Sequence, residues 1–203
     1  MLARVSNIEA YRQWQNWKPL FDGDEEPSLD DLVRRITVDE PSEAMMAGTA
    51  FHAAMELAAN GEHEAFAADG YMFHLPDAEI ALPSIRELRG FKDYGGSEVT
   101  GKVDCLDGNV VIDHKTTGRV DLERYLSGCQ WRFYLDIFEA DVFRWYVWEL
   151  KDAGEKTYRV SPPQILEARR YPELGADCSR LADEFHDFAL RVGLPDSRLE
   201  DAA

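Results

Sequence analysis

Val99-Thr100-Gly101-Lys102-Val103-Asp104-Cys105-Leu106-Asp107-Gly108-Asn109-Val110-Val111-Ile112-Asp113-His114-Lys115-Thr116-Thr117 is the stretch from which the fold is read. Two β-branched, partly alternating runs, 98–106 and 109–116, flank Asp107-Gly108, and an Asp-Gly pair in that setting marks a tight hairpin. The strands carry ionisable groups among apolar ones. Asp113 and Lys115 are two apart and so share one face, whereas His114 points the other way and leaves its backbone carbonyl near the Asp113 side chain. Asp104, across the turn, can meet Asp113. Two carboxylates converging in a partly buried place repel each other, and the usual compensation is an oxygen-seeking divalent cation such as Mg2+ or Mn2+. An ammonium at Lys115 could then orient a water or stabilise developing negative charge. The plainer alternative is a structural ion pair of Lys115 with Asp104 or Asp113.

Before the hairpin, Ser42 caps a helix over 42–60, in which Met45, Met46, Thr49, His52, Met55, Glu56 and Ala59 recur at spacings of three and four and Asn60-Gly61 is the stop. Strand character follows in 71–75 and 85–94. After Gly118, a helical period over 120–140 includes Leu122, Tyr125, Leu126, Cys129, Phe133, Ile137 and Phe138. Strands at 142–150 and 158–160 precede Pro162-Pro163, and a closing helix spans about 178–192. The first forty residues, with Tyr11, Trp14, Trp17, Leu20 and Phe21 as an apolar stripe broken at 22–27, read as an N-terminal arm or cap. The tail from Pro195 reads as fraying. The order α-β-β-β-α-β predicts an α/β (α+β) fold, a mixed central sheet flanked by helices. A chain of 203 residues fits one domain, divided as arm 1–41, catalytic core 42–150 and C-terminal strand, helix and tail 151–203.

Other groups could join the hairpin chemistry. His52 and Glu56, at i and i+4, leave one face of the first helix; an imidazole there could complete a metal shell, or could simply be a surface or satisfied core residue. Gln130 and Tyr134 have the same spacing on the later helix and could reach a phosphate, or Tyr134 could be the edge of the core.

Taken together, the blocks Gly48-Thr49-Ala50-Phe51-His52-Ala53-Ala54-Met55-Glu56, Gly101-Lys102-Val103-Asp104, Asp113-His114-Lys115-Thr116-Thr117 and Gln130-Trp131-Arg132-Phe133-Tyr134 resemble, in content and order, the RecB-like exonuclease branch of the PD-(D/E)XK nuclease superfamily. The resemblance runs from His52 to about Leu150 and implies a restriction-endonuclease-like core. It also implies that His52, Asp104, Asp113 and the His114 backbone carbonyl hold Mg2+ or Mn2+, with Lys115 as the catalytic lysine and Asp104 and Asp113 at the reacting centre. Gln130 and Tyr134 would help to place nucleic acid, and Glu56 would stand just outside the metal ligands. One departure is His114, which stands where the superfamily name records an acid. Some RecB-like members carry a four-cysteine iron–sulfur cluster, and with only Cys105, Cys129 and Cys178 none is expected here.

The charge balance weighs against a general nucleic-acid binder: 22 Lys and Arg against 39 Asp and Glu leave a formal charge of −17. A local exception lies between His114 and Leu135, where Lys115, Arg119, Arg124 and Arg132 outnumber Asp121 and Glu123, with Tyr125, Trp131 and Tyr134 interleaved. Arginines among aromatic faces suit unpaired bases and phosphates, so Arg119, Arg132 and Trp131 are candidate substrate contacts, although these aromatics could equally face the sheet. No apolar run reaches the roughly 20 residues that cross a bilayer, and residues 1–7 lack a signal-peptide core, so a cytoplasmic protein without membrane contact is expected. The expected function is a metal-dependent DNA exonuclease in recombination, repair or processing, of the phage or mobile-element kind, acting on DNA ends, with single strands as one option. A recombination or single-strand-annealing protein is a possible partner. The alternative is a nuclease-like module that no longer cuts and uses its acidic exterior to bind a partner. A Cys129–His52 hydrolase has no supporting motif.

Overall fold

The computed structural model describes residues 1–19, 23, 25–38, 40–61, 66–76 and 82–196. In chain order these form β1 (Leu2–Arg4), α1 (Val5–Gln15), α2 (Leu29–Thr37), α3 (Glu43–Asn60), β2 (Ala67–Ala68), β3 (Tyr71–His74), β4 (Ile85–Tyr94) and β5 (Ser97–Asp107). There follow β6 (Val110–Thr117), α4 (Leu122–Ser127), α5 (Gln130–Ile137), β7 (Val142–Asp152), β8 (Thr157–Val160), β9 (Gln164–Arg169) and α6 (Leu174–Val192). The expected α-β-β-β-α-β order is present as α3, β4, β5, β6, α5 and β7, in a mixed sheet flanked by helices.

The hairpin forms where expected. Cys105, Leu106 and Asp107 pair antiparallel with Ile112, Val111 and Val110, and Gly108 holds a left-handed φ of +58°, which a glycine adopts without steric cost. From there β6 runs parallel to β7 over its whole length, β4 runs antiparallel to β5, and β9 closes on β7. Side chains alternate on β7 and divide two cores: Phe143, Trp145 and Val147 face α1, α5 and α6, while Tyr146, Trp148 and Leu150 face α3, β3 and β8.

Four differences from the expected elements have physical causes. First, residues 2–15 are built into the body: β1 pairs in parallel with β5, and Val5, Ile8 and Tyr11 lie in the larger core. Leu20 and Phe21 of the expected stripe lie outside the described residues, as do 197–203 of the tail. Second, the helix expected over 120–140 is two helices, because Gly128 is extended and a new helix starts after Cys129. Third, the buried face of α3 is Ala47, Ala50, Phe51, Ala54 and Met55, while Met45 and Met46 are exposed. An Ala- and Gly-rich face permits close approach to the sheet: a Cβ on Gly48 would stand 2.9 Å from Thr116 Oγ1. Fourth, β9 follows Pro162-Pro163 as a strand despite mixed propensity, since a six-residue ladder to β7 satisfies its backbone.

Candidate active site

The site arises where β5 is shared between two partners on one edge. Its ladder to β1 ends at Thr100 and its ladder to β6 begins at Cys105, so 101–104 line a fork between β1 and β6. On the opposite edge the register with β4 omits Glu87 against Asp104, and Glu87 has a left-handed φ of +53°, a strained conformation for a residue with a Cβ. Asp104 is thus unpaired by ladder on both sides, and its side chain takes over: the His114 amide donates to Asp104 Oδ2 at 2.9 Å.

Around this bond the predicted residues gather. His52 of α3 brings Nδ1 to 3.6 Å from Asp104 Oδ2. Lys115 Nζ donates to Asp113 Oδ1 at 3.0 Å, as two residues on one face of β6 should allow. Asp113 is 2% exposed, and its Oδ2 is buried without a hydrogen-bond partner. A buried carboxylate oxygen left bare is costly, and sites that tolerate one commonly serve a ligand. Burial, reinforced by the Asp113 charge, pushes the Asp104 carboxyl up to about 6, against the opposing pull of His52, Lys115 and the His114 amide. Desolvation pulls the Lys115 ammonium down, but Asp113 and Asp104 outweigh it and hold the group above its ordinary value. Lys115 is therefore a cation and a proton donor at neutral pH, not a base.

Tyr134 and Gln130, one turn apart on α5, bond each other: the Gln130 side-chain amide donates to the Tyr134 hydroxyl at 3.2 Å. Burial raises Tyr134 to about 12, with Lys115 and Gln130 lowering it and Asp113 and Asp104 raising it, so the phenol is a neutral group within the field of the cluster. Its ring lies over Gly101, where any Cβ would collide with it. The start of α5, and with it this pair, is held by a residue that the sequence reading did not single out. Glu9 of α1 accepts from the Cys129 amide (2.6 Å) and the Gln130 amide (2.9 Å), a carboxylate capping a helix 120 residues away. Nothing local to 128–130 announces this contact.

The remaining candidates are placed elsewhere. The His114 imidazole is fully buried, accepts from Trp148 Nε1 at 3.1 Å and stacks on Tyr146, so only its backbone faces the cluster. Glu56 pairs with Arg86 of β4 at 2.9 Å instead of turning to the carboxylates. Trp131 and Arg132, expected as substrate contacts, are committed internally. The Trp131 indole is 7% exposed and donates to the Leu126 carbonyl, and Arg132 covers its ring at 4.4 Å while donating to the Gly128 carbonyl and the Tyr171 hydroxyl. These aromatic and basic groups face the protein because Gly128-Cys129 breaks the helix and resets which side is outward. Arg119 is exposed on the turn after β6. A cleft of about 200 Å3 beside Tyr134, lined by Arg4, Ser6, Arg89, Thr100 and Lys102, adds cations that the sequence reading did not connect with the site.

Among the described residues no three His, Cys, Asp or Glu side chains converge on one cation position, so the expected set of His52, Asp104 and Asp113 does not form a closed cage. The chemistry of the donors nonetheless suits a hard divalent ion: two carboxylates, one with a bare buried oxygen, in a setting where Mg2+ is ordinarily held by one or two carboxylates plus substrate phosphate. The three cysteines are buried and free, and among the described residues no helix is long and apolar enough to cross a membrane.

No protein-family model matches the chain, and no curated protein matches it in sequence. Among solved structures, a protein of Eubacterium rectale described as a candidate exonuclease is 13% identical with a TM-score of 0.53, over 94% of this chain and 80% of its own. The alkaline exonuclease of Laribacter hongkongensis is 12% identical with a TM-score of 0.49, over 100% of this chain and 95% of its own. The chain shares its fold, a mixed sheet flanked by helices, with the Eubacterium rectale protein.

Proposed function

We propose that this chain is a divalent-metal-dependent deoxyribonuclease of the RecB-like kind that degrades DNA from its ends. The carrying observation is the bare, buried Asp113 Oδ2 beside Asp104 and Lys115. A module freed from catalysis has no need of such a costly arrangement. The shared fold with a protein described as an exonuclease agrees with this reading.

In this reading Asp104, Asp113 and the His114 carbonyl hold Mg2+ or Mn2+, with His52 at the margin. The ion supplies Lewis acidity toward the scissile phosphate and lowers the cost of deprotonating the attacking water. The protein groups do the rest. Lys115, kept charged by its two carboxylates, donates to the water or to a phosphate oxygen and opposes negative charge as it builds in line. Tyr134, neutral and oriented by Gln130, offers a hydroxyl on the same side. Arg4, Arg89 and Lys102, the last paired with Glu87, line the adjoining cleft and meet backbone phosphates there.

The test is purified protein on end-labelled linear single- and double-stranded DNA and on closed circles, with Mg2+, Mn2+ or chelator. Linear DNA is lost only with metal and circles are spared. Lys115→Ala and Asp113→Ala each reduce the rate by at least about 100-fold while circular dichroism stays native. A wild-type rate in either folded variant removes that residue from the mechanism. A folded protein that cuts nothing in any metal favours the partner-binding module instead.

A further inference from the structure

A larger cavity, about 560 Å3, lies between the C-terminal half of α1, α2 and α4, within the size range of small-molecule sites. Arg12, Lys18, Arg35 and Arg124 line it together with Trp14 and Trp17. Trp14 is a fixed wall: its indole donates to the Pro27 carbonyl at 2.7 Å and its ring packs on Tyr11 and Phe188. Trp17 is half-buried, and among the described residues no other ring stacks on it.

The lining carries four cations against three carboxylates, and the two sets are held differently. Of the carboxylates, which all keep their charge, Asp31 is oriented by a capping box with Ser28 at the start of α2, and Asp121 caps α4 through the Arg124 amide. On the cationic side, Arg12 and Arg35 donate to the neutral amides of Gln15 and Gln13, and among the described residues none of the four cations is ion-paired with a carboxylate. A surface with free cations and an open indole face is complementary to an anionic polymer that carries flat bases.

The cavity also lies within reach of the carboxylate cluster. Asp121 is only six positions beyond Lys115, at most about 20 Å of extended chain. Tyr125 of α4 is near enough that the charges of Lys115 and Asp113 both act on its phenol. We infer that the cavity between α1, α2 and α4 binds an unpaired DNA segment continuous with the strand in the active site. Trp17 stacks a base, and Arg12, Lys18, Arg35 and Arg124 meet phosphates. The identity of the polymer rests on the nuclease reading, but the binding does not require cleavage.

The test is fluorescence anisotropy of labelled oligothymidylate and of a duplex of equal length, in chelator, with the full chain. Trp17→Ala weakens oligothymidylate binding at least fivefold and Trp17→Phe restores most of it, as a stacking role requires. Arg35→Ala with Arg124→Ala lowers the slope of log affinity against log salt by about 1.4 for single strands. Tight binding by a wild-type protein that never cuts sustains this inference while removing the nuclease reading. Unchanged affinity in folded Trp17→Ala and in the double arginine variant overturns the inference, leaves the nuclease reading standing and gives the cavity to a protein partner.

Discussion

At the scale of single residues the decisive feature is a carboxylate pair, Asp104 and Asp113, whose mutual repulsion and burial the Lys115 ammonium offsets only in part. Asp104 is pushed up to about 6 from the ordinary carboxylate range, so the metal-free folded state holds a proton that the unfolded chain has already released. Between pH 4 and 6 the folded state binds more protons than the unfolded one, and stability therefore falls as pH rises through that window. The loss is fully in place above pH 6 and amounts to about 3 kcal/mol. Asp104→Asn removes it while keeping an acceptor for the His114 amide. The metal-free variant should be more stable than wild type by about 1–3 kcal/mol in urea unfolding at pH 7.5, with the gap narrowing toward pH 5.5. Added Mn2+ should raise the Tm of wild type and leave that of the variant almost unchanged. A variant no more stable than wild type at pH 7.5 would show that Asp104 carries no such burden. Asp104, Asp113 and Lys115 were legible in the sequence because strand alternation fixes which side chains share a face. The roles of Trp131 and Arg132 were not, since they depend on the side that the break at Gly128-Cys129 turns inward and on a remote partner, Tyr171.

At the scale of elements, the hairpin, α3, β4 and β7 were readable from local chemistry: a glycine turn, a serine cap, alternation. Elements stabilised by remote partners were not. The short β1 exists through its ladder to β5, β9 through its ladder to β7, and α5 begins where Glu9 accepts two of its free amides. Such contacts leave no trace within a window of ten residues, which is why the single helix expected over 120–140 missed the division. Glu9→Ala should expose this dependence. Leaving the Cys129 and Gln130 amides uncapped costs about 1–2 kcal/mol in urea unfolding, and cleavage weakens because Gln130 and Tyr134 lose their anchor. If stability and rate both match wild type, the cap does not position the pair.

At the scale of the whole molecule, a formal charge of −17 on 203 residues opposes compaction, and the opposition is long-ranged enough to be screened by modest salt. The Tm should rise between 10 mM and 150 mM NaCl in the absence of metal, while affinity for DNA falls over the same range as its counterions are no longer released so favourably. A Tm that drops with salt would mean that exposed attractive pairs such as Arg180–Glu184 outweigh the general repulsion. The two cores beneath this surface are not separate bodies. β7 places Phe143, Trp145 and Val147 in one and Trp148 in the other, along one uninterrupted backbone. Unravelling that strand removes a wall from both at once, so neither half has a private melting transition, and the side of the molecule that carries the carboxylates cannot loosen without the helical side registering it. The fork that holds the carboxylates thereby inherits the cooperativity of the entire chain.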